Sequence, residues 1–455
     1  GARCFLGVKY ADVPVRWGPP TLRHDKPTMD NHTFGPAAIQ SLPMTHLNVP
    51  ESEDCLNLNI WTPASLSALA NRPVLVWFHG GGFVTWTASM AEWNGTQLAK
   101  NNNVVVVSLN YRMGPLGFAY HPDVGCNLAV LDWVCALAWV NAHIRHVGGN
   151  PDNVTIFGHS AGGMAVHALL RTPSARGLFH KAVLMSPVAS DYAHLPPVDL
   201  DRLKANSLRF FDRLGTHDLS TLRQLPLDTI KRQLGECLAV SLPDGQLQVP
   251  ADLIWAPVQD DKIVFSMDAC AKDVPLLFGY TNHEARFFLR PWGRYGLPRL
   301  QDPETLYNTT TLHQLCHRLA GPCAAQLIAY FSSSTLTAYE AIDALVTTAL
   351  WKAPARQAFD YYATHGMQAY MYCFARVSPG SQASGEMAYH CSEIPYFFAH
   401  VTEGDVYDRK DVALSNEIQH GLCTFAATGE PRFLNHKPWP KATVSEPRLT
   451  LLDDQ

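Results

Sequence analysis

Gly158-His-Ser160-Ala-Gly162 follows the apolar run Val154-Thr-Ile-Phe157 and precedes a helical stretch at residues 164–170. A serine hydroxyl is a poor nucleophile until a base takes its proton, so a chain that uses one must lift it on a sharp turn toward that base. Glycines two residues to either side remove the Cβ atoms that would obstruct the turn, and a strand before with a helix after is the setting of a nucleophile elbow. The Ala161 amide and the positive end of the helix would then lie where negative charge develops on a carbonyl oxygen. A bare G-x-S-x-G is also satisfied by a glycine-rich strand-to-helix turn with an incidental serine, and the flanking strand and helix patterns weigh against that.

A second glycine cluster, Phe78-His-Gly-Gly-Gly-Phe83, directly follows another apolar run. Its consecutive backbone N–H groups could receive an acyl-transfer oxyanion without reorganising, and loss of one such donor costs ~3–4 kcal/mol of transition-state stabilisation. It has neither the lysine of a phosphate loop nor the G-x-G-x-x-G spacing. A plain flexible turn is the alternative. The two motifs in this order point to acyl transfer through a serine.

The elements that must hold them are legible as short apolar runs bounded by turn residues, at residues 74–79, 104–109, 154–157, 182–185, 275–278 and 369–374. Their β-branched and aromatic content predicts buried strands. Between them, Leu128, Leu131, Val134, Cys135, Ala138 and Trp139 recur at helical spacing, as do Leu200, Leu203, Leu208, Phe211 and Leu214. Further helices are predicted over 337–353 and 413–428, the latter stopped by Gly429 and Pro431. The alternation predicts an α/β fold with a central, mostly parallel sheet flanked by helices.

Composition narrows the function classes. The chain has 455 residues, 47% of them hydrophobic and 16% charged, which is the make-up of a globular protein with ample core material. Lys+Arg 35 against Asp+Glu 40, with no basic run, leaves no electrostatic footprint for nucleic acid. No apolar run is dense enough to predict a membrane span. The 11 cysteines are too dilute for a disulfide scaffold and no CxxC pattern is present, so no metal site and no cofactor are expected. Asn31, Asn94, Asn153 and Asn308 head glycosylation sequons, and the expected localisation is secreted or extracytoplasmic.

Beyond these readings the chain resembles the type-B carboxylesterase/lipase family, the α/β-hydrolase group that also holds cholinesterases. The resemblance runs through Phe5-Leu-Gly-Val-Lys-Tyr-Ala11, Ser52-Glu-Asp-Cys-Leu-Asn-Leu-Asn59, the triple glycine, Asn110-Tyr-Arg-Met-Gly114, Gly148-Gly-Asn-Pro151 and the elbow. It continues through Gly279-Tyr-Thr-Asn-His-Glu284, His390-Cys-Ser-Glu-Ile-Pro-Tyr396 and Phe425-Ala-Ala-Thr-Gly-Glu-Pro431. It implies an α/β-hydrolase fold with helical and loop insertions shaping the pocket. Residues 1–455 would form a single catalytic domain, shortened at its N-terminal strand region.

The resemblance further implies Ser160 as nucleophile, Glu284 as the acid, His390 as general base, and the amides of Gly81, Gly82 and Ala161 as the oxyanion hole. The chain order Ser, acid, His is that of an α/β-hydrolase. Apart from the resemblance, His390 is one of 20 histidines. Glu284 has His283 and Arg286 beside it as ordinary ion-pair partners, and Glu393 is a second carboxylate near His390. Arg16 with Glu53 and Arg112 with Asp132 look like the family's structural ion pairs. Phe83 and His159 are candidate substrate contacts; Trp86, Phe287, Phe288 and Phe397 are candidate pocket lining, each also compatible with ordinary core.

The chain departs from the family in one disulfide. Relatives carry a cysteine in a Gly-Pro-x-Cys-x-Gln segment, where this chain has Gly35-Pro-Ala-Ala-Ile-Gln40, so Cys55 lacks its usual partner. Cys4 is a possible replacement for it, and two free thiols are the alternative. The stretch from Gly35 to Cys55 has no Trp, which argues against a choline-binding site. The expected activity is hydrolysis of a small-molecule carboxylic ester, with oligomeric state open. A catalytically silent, cholinesterase-like adhesion protein and an amidase using the same triad are the alternatives.

Overall fold

All six apolar runs are strands of one nine-stranded sheet in the computed structural model. The structure describes residues 1–28, 32–41, 47–64, 70–187, 199–234, 253–271, 273–289, 307–441, 443 and 448–453. The strands are β1 (Ala2–Lys9), β2 (Ala11–Asp12), β3 (Thr21–Leu22), β4 (Asn57–Pro63), β5 (Arg72–Phe78), β6 (Val105–Leu109), β7 (Gly149–His159), β8 (Lys181–Met185), β9 (Leu276–Thr281), β10 (Ala369–Phe374) and β11 (Thr450–Leu452). The large sheet runs β1-β4-β6-β5-β7-β8-β9-β10-β11, while β2 and β3 form a separate ribbon. Pairing is antiparallel at β1/β4 and β4/β6 and parallel from β6 through β11.

Alternate residues of the central strands feed two hydrophobic layers. Val74, Val76 and Phe78 join Val105, Val107, Ile156 and Leu184 on one face. Leu75 and Trp77 join Val106, Phe157, Val183 and Met185 on the other. Both faces are covered, which is why these strands read as continuous apolar runs.

Three strands were not legible as runs. In β4 the buried Asn57 and Asn59 break the apolar pattern, yet both are satisfied: Asn59 Oδ1 accepts from Gly7 N at 3.0 Å and its Nδ2 donates to Ser108 Oγ at 3.2 Å. The edge strand β1 shifts register between Phe5 and Val8, where Gly7 at φ +64° supplies a bulge. The third, β11, is only three residues long.

The helix Leu128–His143 covers one sheet face and continues as a tighter turn over Ile144–Val147. Contrary to the sequence expectation, this 20-residue segment is long and apolar enough to cross a membrane by length and composition. Its apolarity has a core explanation: Trp133 packs on Phe78, Phe83 and Tyr111, and two-thirds of the segment's apolar window is buried.

The two ion pairs act as scaffold. Arg112 Nη2 meets Asp132 Oδ1 at 2.6 Å and its Nε meets Oδ2 at 2.9 Å, with the Asp132 side chain wholly buried. A third donor, Arg112 Nη1, reaches Gly18 O at 2.7 Å. Arg16 holds Glu53 through two bonds of 2.5 and 2.7 Å and donates to Leu225 O.

A Cys4–Cys55 bridge does not form; both are free thiols. Cys4 stands opposite Trp61 in the β1/β4 register. Cys55 lies six residues before Trp61, on the order of 20 Å away at ~3.3 Å per residue, and a disulfide needs Cα atoms within ~7 Å.

Titration of the unfolded chain with Ellman's reagent is therefore expected to count the same 11 thiols with and without prior reduction. A shortfall of two in the unreduced sample would restore the bridge. Removing one partner of the Arg112–Asp132 pair strands a buried charge, so Arg112→Ala should cost about 3–5 kcal/mol in chemical denaturation. A loss below about 1 kcal/mol would assign the pair no structural weight.

Candidate active site

Four strands deliver the candidate residues at their carboxyl ends, where open α/β sheets place their ligands. β7 ends at His159 and the helix Ala161–Leu170 begins one residue later, with Ser160 as the hinge at φ 57°, ψ −121°. That conformation is strained for a residue with a Cβ, and its backbone is held by the bond from Ser160 N to Met185 O at 2.9 Å. The flanking glycines are there for space. A Cβ on Gly162 would stand 1.9 Å from Phe78 O, and one on Gly158 would stand 2.4 Å from Gly162 O.

The triple-glycine loop leaves β5 beside this turn. A Cβ on Gly80 would lie 2.9 Å from His159 O and 3.3 Å from Ser160 Cβ, so the two loops touch. Gly81 takes φ +100° and Gly82 φ +61°, and Gly81 O accepts from Val84 N and Thr85 N. Among the described residues, no backbone acceptor takes the N–H groups of Gly81, Gly82 or Ala161. His79 anchors the loop: its Nδ1 donates to Gly80 O at 2.8 Å and its ring stacks on Tyr111 at 4.5 Å. Tyr111 in turn donates its hydroxyl to His79 O at 2.7 Å.

Glu284 and His390 meet although 106 residues separate them. His390 Nδ1 donates to Glu284 Oε2 at 2.5 Å, and both side chains are buried. Glu284 Oε1 accepts from Thr281 N at 2.8 Å, which leaves the carboxylate held at both oxygens. An isolated bridge between His283 and Tyr389, with His283 N donating to Ala388 O at 2.9 Å, ties the two loops together next to this contact. His390 Nε2 has no hydrogen-bond partner among the described residues.

The basic neighbours of Glu284 are drawn off by Asp343, a residue the sequence reading passed over. Asp343 Oδ2 takes His283 Nδ1 at 2.7 Å and Arg286 Nε at 2.8 Å, while its Oδ1 accepts from Thr347 Oγ1 at 3.1 Å. The available signal was an acidic residue inside the buried stripe of the helix Ala338–Thr347, beside Ile342 and Val346. Trp351 was also missed. It sits in the π-helical turn Thr348–Lys352, packs 5.5 Å from the His390 ring, and donates Nε1 to Ser186 O at 3.2 Å.

Behind His390 lies a second, uncharged layer. The His159 ring stands 4.3 Å from that of His390; its Nε2 lies 3.5 Å from Glu393 Oε1 and its Nδ1 lies 3.7 Å from Cys391 Sγ. Ser186 Oγ donates to Glu393 Oε1 at 3.3 Å. Burial, reinforced by the nearby Glu284 charge, pushes the Glu393 carboxyl well above its usual range. Burial, then the neighbouring His390, pushes His159 well below its own. Both shifts favour a neutral pair.

The two candidate substrate contacts, Phe83 and His159, both lie in packed surroundings. Phe83 is fully buried, with its ring on Phe118 at 4.9 Å and Trp133 at 6.0 Å. His159 is likewise fully buried and spends its contacts on His390, Cys391 and Glu393. Phe287 and Phe288 do pack on His390, at 5.7 and 5.2 Å, whereas Phe397 lies in the core against Tyr372 and Trp86 packs on Trp93. Residues 195–198, 235–252 and 290–306 lie outside the described residues.

Residues 1–455 match the sequence profile described as the carboxylesterase family. The chain is 30% identical over 482 aligned residues to the para-nitrobenzyl esterase of Bacillus subtilis (strain 168), covering 100% of this chain and 91% of that one. It is 29% identical to the phenmedipham hydrolase of Pseudarthrobacter oxydans, covering 100% and 92%. Among solved structures, the Geobacillus stearothermophilus carboxylesterase superposes with a TM-score of 0.81 at 29% identity, covering 100% of this chain and 93% of that one.

Burial lowers His79 to about 4 and holds His159 and His167 well below the usual imidazole range. The unfolded chain takes up these protons near pH ~6.5 and the folded chain does not, so stability is lost as pH falls from there toward ~4. For His79 alone the loss at pH 5 is about 2 kcal/mol. Thermal unfolding is expected at lower temperature at pH 5 than at pH 7, with a smaller decrease in His79→Asn. An equal decrease in both proteins would show that His79 is not held neutral.

Proposed function

This chain belongs to the carboxylesterase family and is a type-B carboxylesterase enzyme, and we propose that it cleaves carboxylic esters through an acyl-enzyme on Ser160. His390 is the base, Glu284 the acid that orients it, and the Gly81, Gly82 and Ala161 amides are the oxyanion hole. Residues 1–455 act as one catalytic unit on this reading. The observation that carries it is the buried 2.5 Å bond from His390 Nδ1 to Glu284 Oε2, which fixes the tautomer with its lone pair on Nε2.

The steps follow from that tautomer. Ser160 Oγ attacks the ester carbonyl carbon as its proton passes to His390 Nε2, and the Glu284 carboxylate stabilises the imidazolium. Negative charge moves to the former carbonyl oxygen, against N–H groups that no backbone acceptor among the described residues takes. Collapse expels the alcohol, which takes the proton from Nε2. Water then attacks the acyl-enzyme, its proton goes to Nε2, and that proton returns to Ser160 Oγ as the acid leaves. The cycle balances with water as the sole co-reactant.

Small-molecule esters are the substrates that the family implies. The relatives named above for para-nitrobenzyl esters and phenmedipham support an aromatic ester or carbamate as the practical probe class.

Ser160→Ala is expected to lower turnover of p-nitrophenyl acetate by roughly ten-thousand-fold or more while the protein remains folded. Near-normal turnover in that variant would end the assignment.

A further inference from the structure

His159, His390 and Cys391 place one ligating atom each within 4.8 Å of one another, and all three residues are buried. The two imidazoles are already set up as ligands. His390 commits Nδ1 to Glu284, so the nitrogen with a lone pair to give is Nε2, which is without a partner among the described residues. His159 directs Nε2 toward Glu393 Oε1 at 3.5 Å, and its Nδ1 faces Cys391 Sγ at 3.7 Å. A carboxylate hydrogen-bonded behind a ligating histidine, as Glu284 is behind His390, is the arrangement that orients an imidazole on a metal ion, and Glu393 stands at 3.5 Å behind His159 without bonding to it. Cys391 completes the set because its backbone takes φ 82°, a left-handed turn, and its side chain is buried beside His159.

We propose that His159, His390 and Cys391 form an inhibitory site for a borderline-soft divalent cation, with Zn²⁺ as the type case. Two imidazole nitrogens and a thiolate suit zinc or cadmium and disfavour magnesium or calcium, which take oxygen ligands. A tetrahedral zinc spaces such ligands roughly 3.4–3.7 Å apart, so the group need draw in by only about 1 Å. On binding, the Cys391 thiol proton leaves to solvent, and Sγ, His159 Nδ1 and His390 Nε2 each donate an electron pair. The fourth position stays with water. The buried Glu284 carboxylate behind His390 favours the added positive charge.

The inhibitory consequence rests on His390 being the catalytic base, since the metal occupies the lone pair that must accept the Ser160 proton. The site itself does not depend on that role, and the test separates the two. Cd²⁺ titrated into the purified full-length chain should raise a thiolate-to-cadmium charge-transfer band, equally in Ser160→Ala, and one equivalent of it should vanish in Cys391→Ala. Zn²⁺ should inhibit p-nitrophenyl acetate hydrolysis by the unsubstituted enzyme, and EDTA should restore it. Cys391→Ala should keep its turnover and need at least about tenfold more zinc for the same inhibition. If Cys391→Ala does not fold, Cys391→Ser replaces it, since a hydroxyl gives no thiolate band. An unchanged band together with unchanged zinc sensitivity in the cysteine variant overturns the site. The cadmium equivalent without esterase turnover in the unsubstituted chain would support the site and reject the catalytic reading instead.

Discussion

The short hydrogen bond from His390 Nδ1 to Glu284 Oε2 is the contact around which the carboxyl ends of four strands are arranged. A charge-assisted bond of this kind is strong in a dry interior, but an anion buried there is costly unless its partners are fixed. Each neighbour contributes to that fixing. Thr281 N occupies the second carboxylate oxygen, and Asp343 removes His283 and Arg286 from competition. Burial holds Glu393 in its neutral form, so a second anion does not contest His390. The catalytic reading depends on this single polarity: one carboxylate, one imidazole, and an Nε2 with no partner among the described residues.

The two glycine motifs are one packed object, although they lie about eighty residues apart. The helix that starts after Ser160 approaches the end of β5 so closely that Gly162 has no room for a Cβ against Phe78 O, and Gly80 likewise stands tight against His159 O. Sequence-distant turns therefore share a backbone-to-backbone contact, and the strain at Ser160 is held in place from both sides. Strain of order 1–3 kcal/mol at such a hinge persists only where the surroundings over-determine it. Here the Ser160 N to Met185 O bond and the close contact with Phe78 do so.

What could be read from the residues tracks how each element earns its burial. Central strands such as β5 and β6 are apolar on both faces and announced themselves; β4 did not, because the buried Asn57 and Asn59 interrupt its apolar pattern while their amides are satisfied, Asn59 by Gly7 of β1 and Asn57 by Cys55 O. Ser160 was legible because a nucleophile elbow leaves a local signature. Glu284 and His390 have none, since their pairing is made by a bridge between loops that follow different strands, and only the resemblance named them. Asp343 and Trp351 act through contacts that span the fold. Phe83 was ambiguous because a residue following the glycine loop can point either to the pocket or into the core, and its packing on Phe118 and Trp133 depends on residues distant in sequence.

The loss of the expected disulfide follows the same logic. A disulfide from position 38 to Cys55 would close a roughly seventeen-residue loop and stabilise by about 3 kcal/mol, and Ala38 supplies no thiol for it. The chain closes that loop by other means. Ala37 N donates to Pro50 O and Ser52 N to Ala37 O, each at 2.9 Å, so a short backbone ladder joins the loop's two ends. Gln40 adds side-chain bonds to Ala38 O and Trp86 O at 2.7 and 3.1 Å. At about 1 kcal/mol net per hydrogen bond, this set is comparable with the missing bridge. It forms without oxidation, and it ties the loop to Trp86, which packs beside Gly80 of the triple-glycine turn.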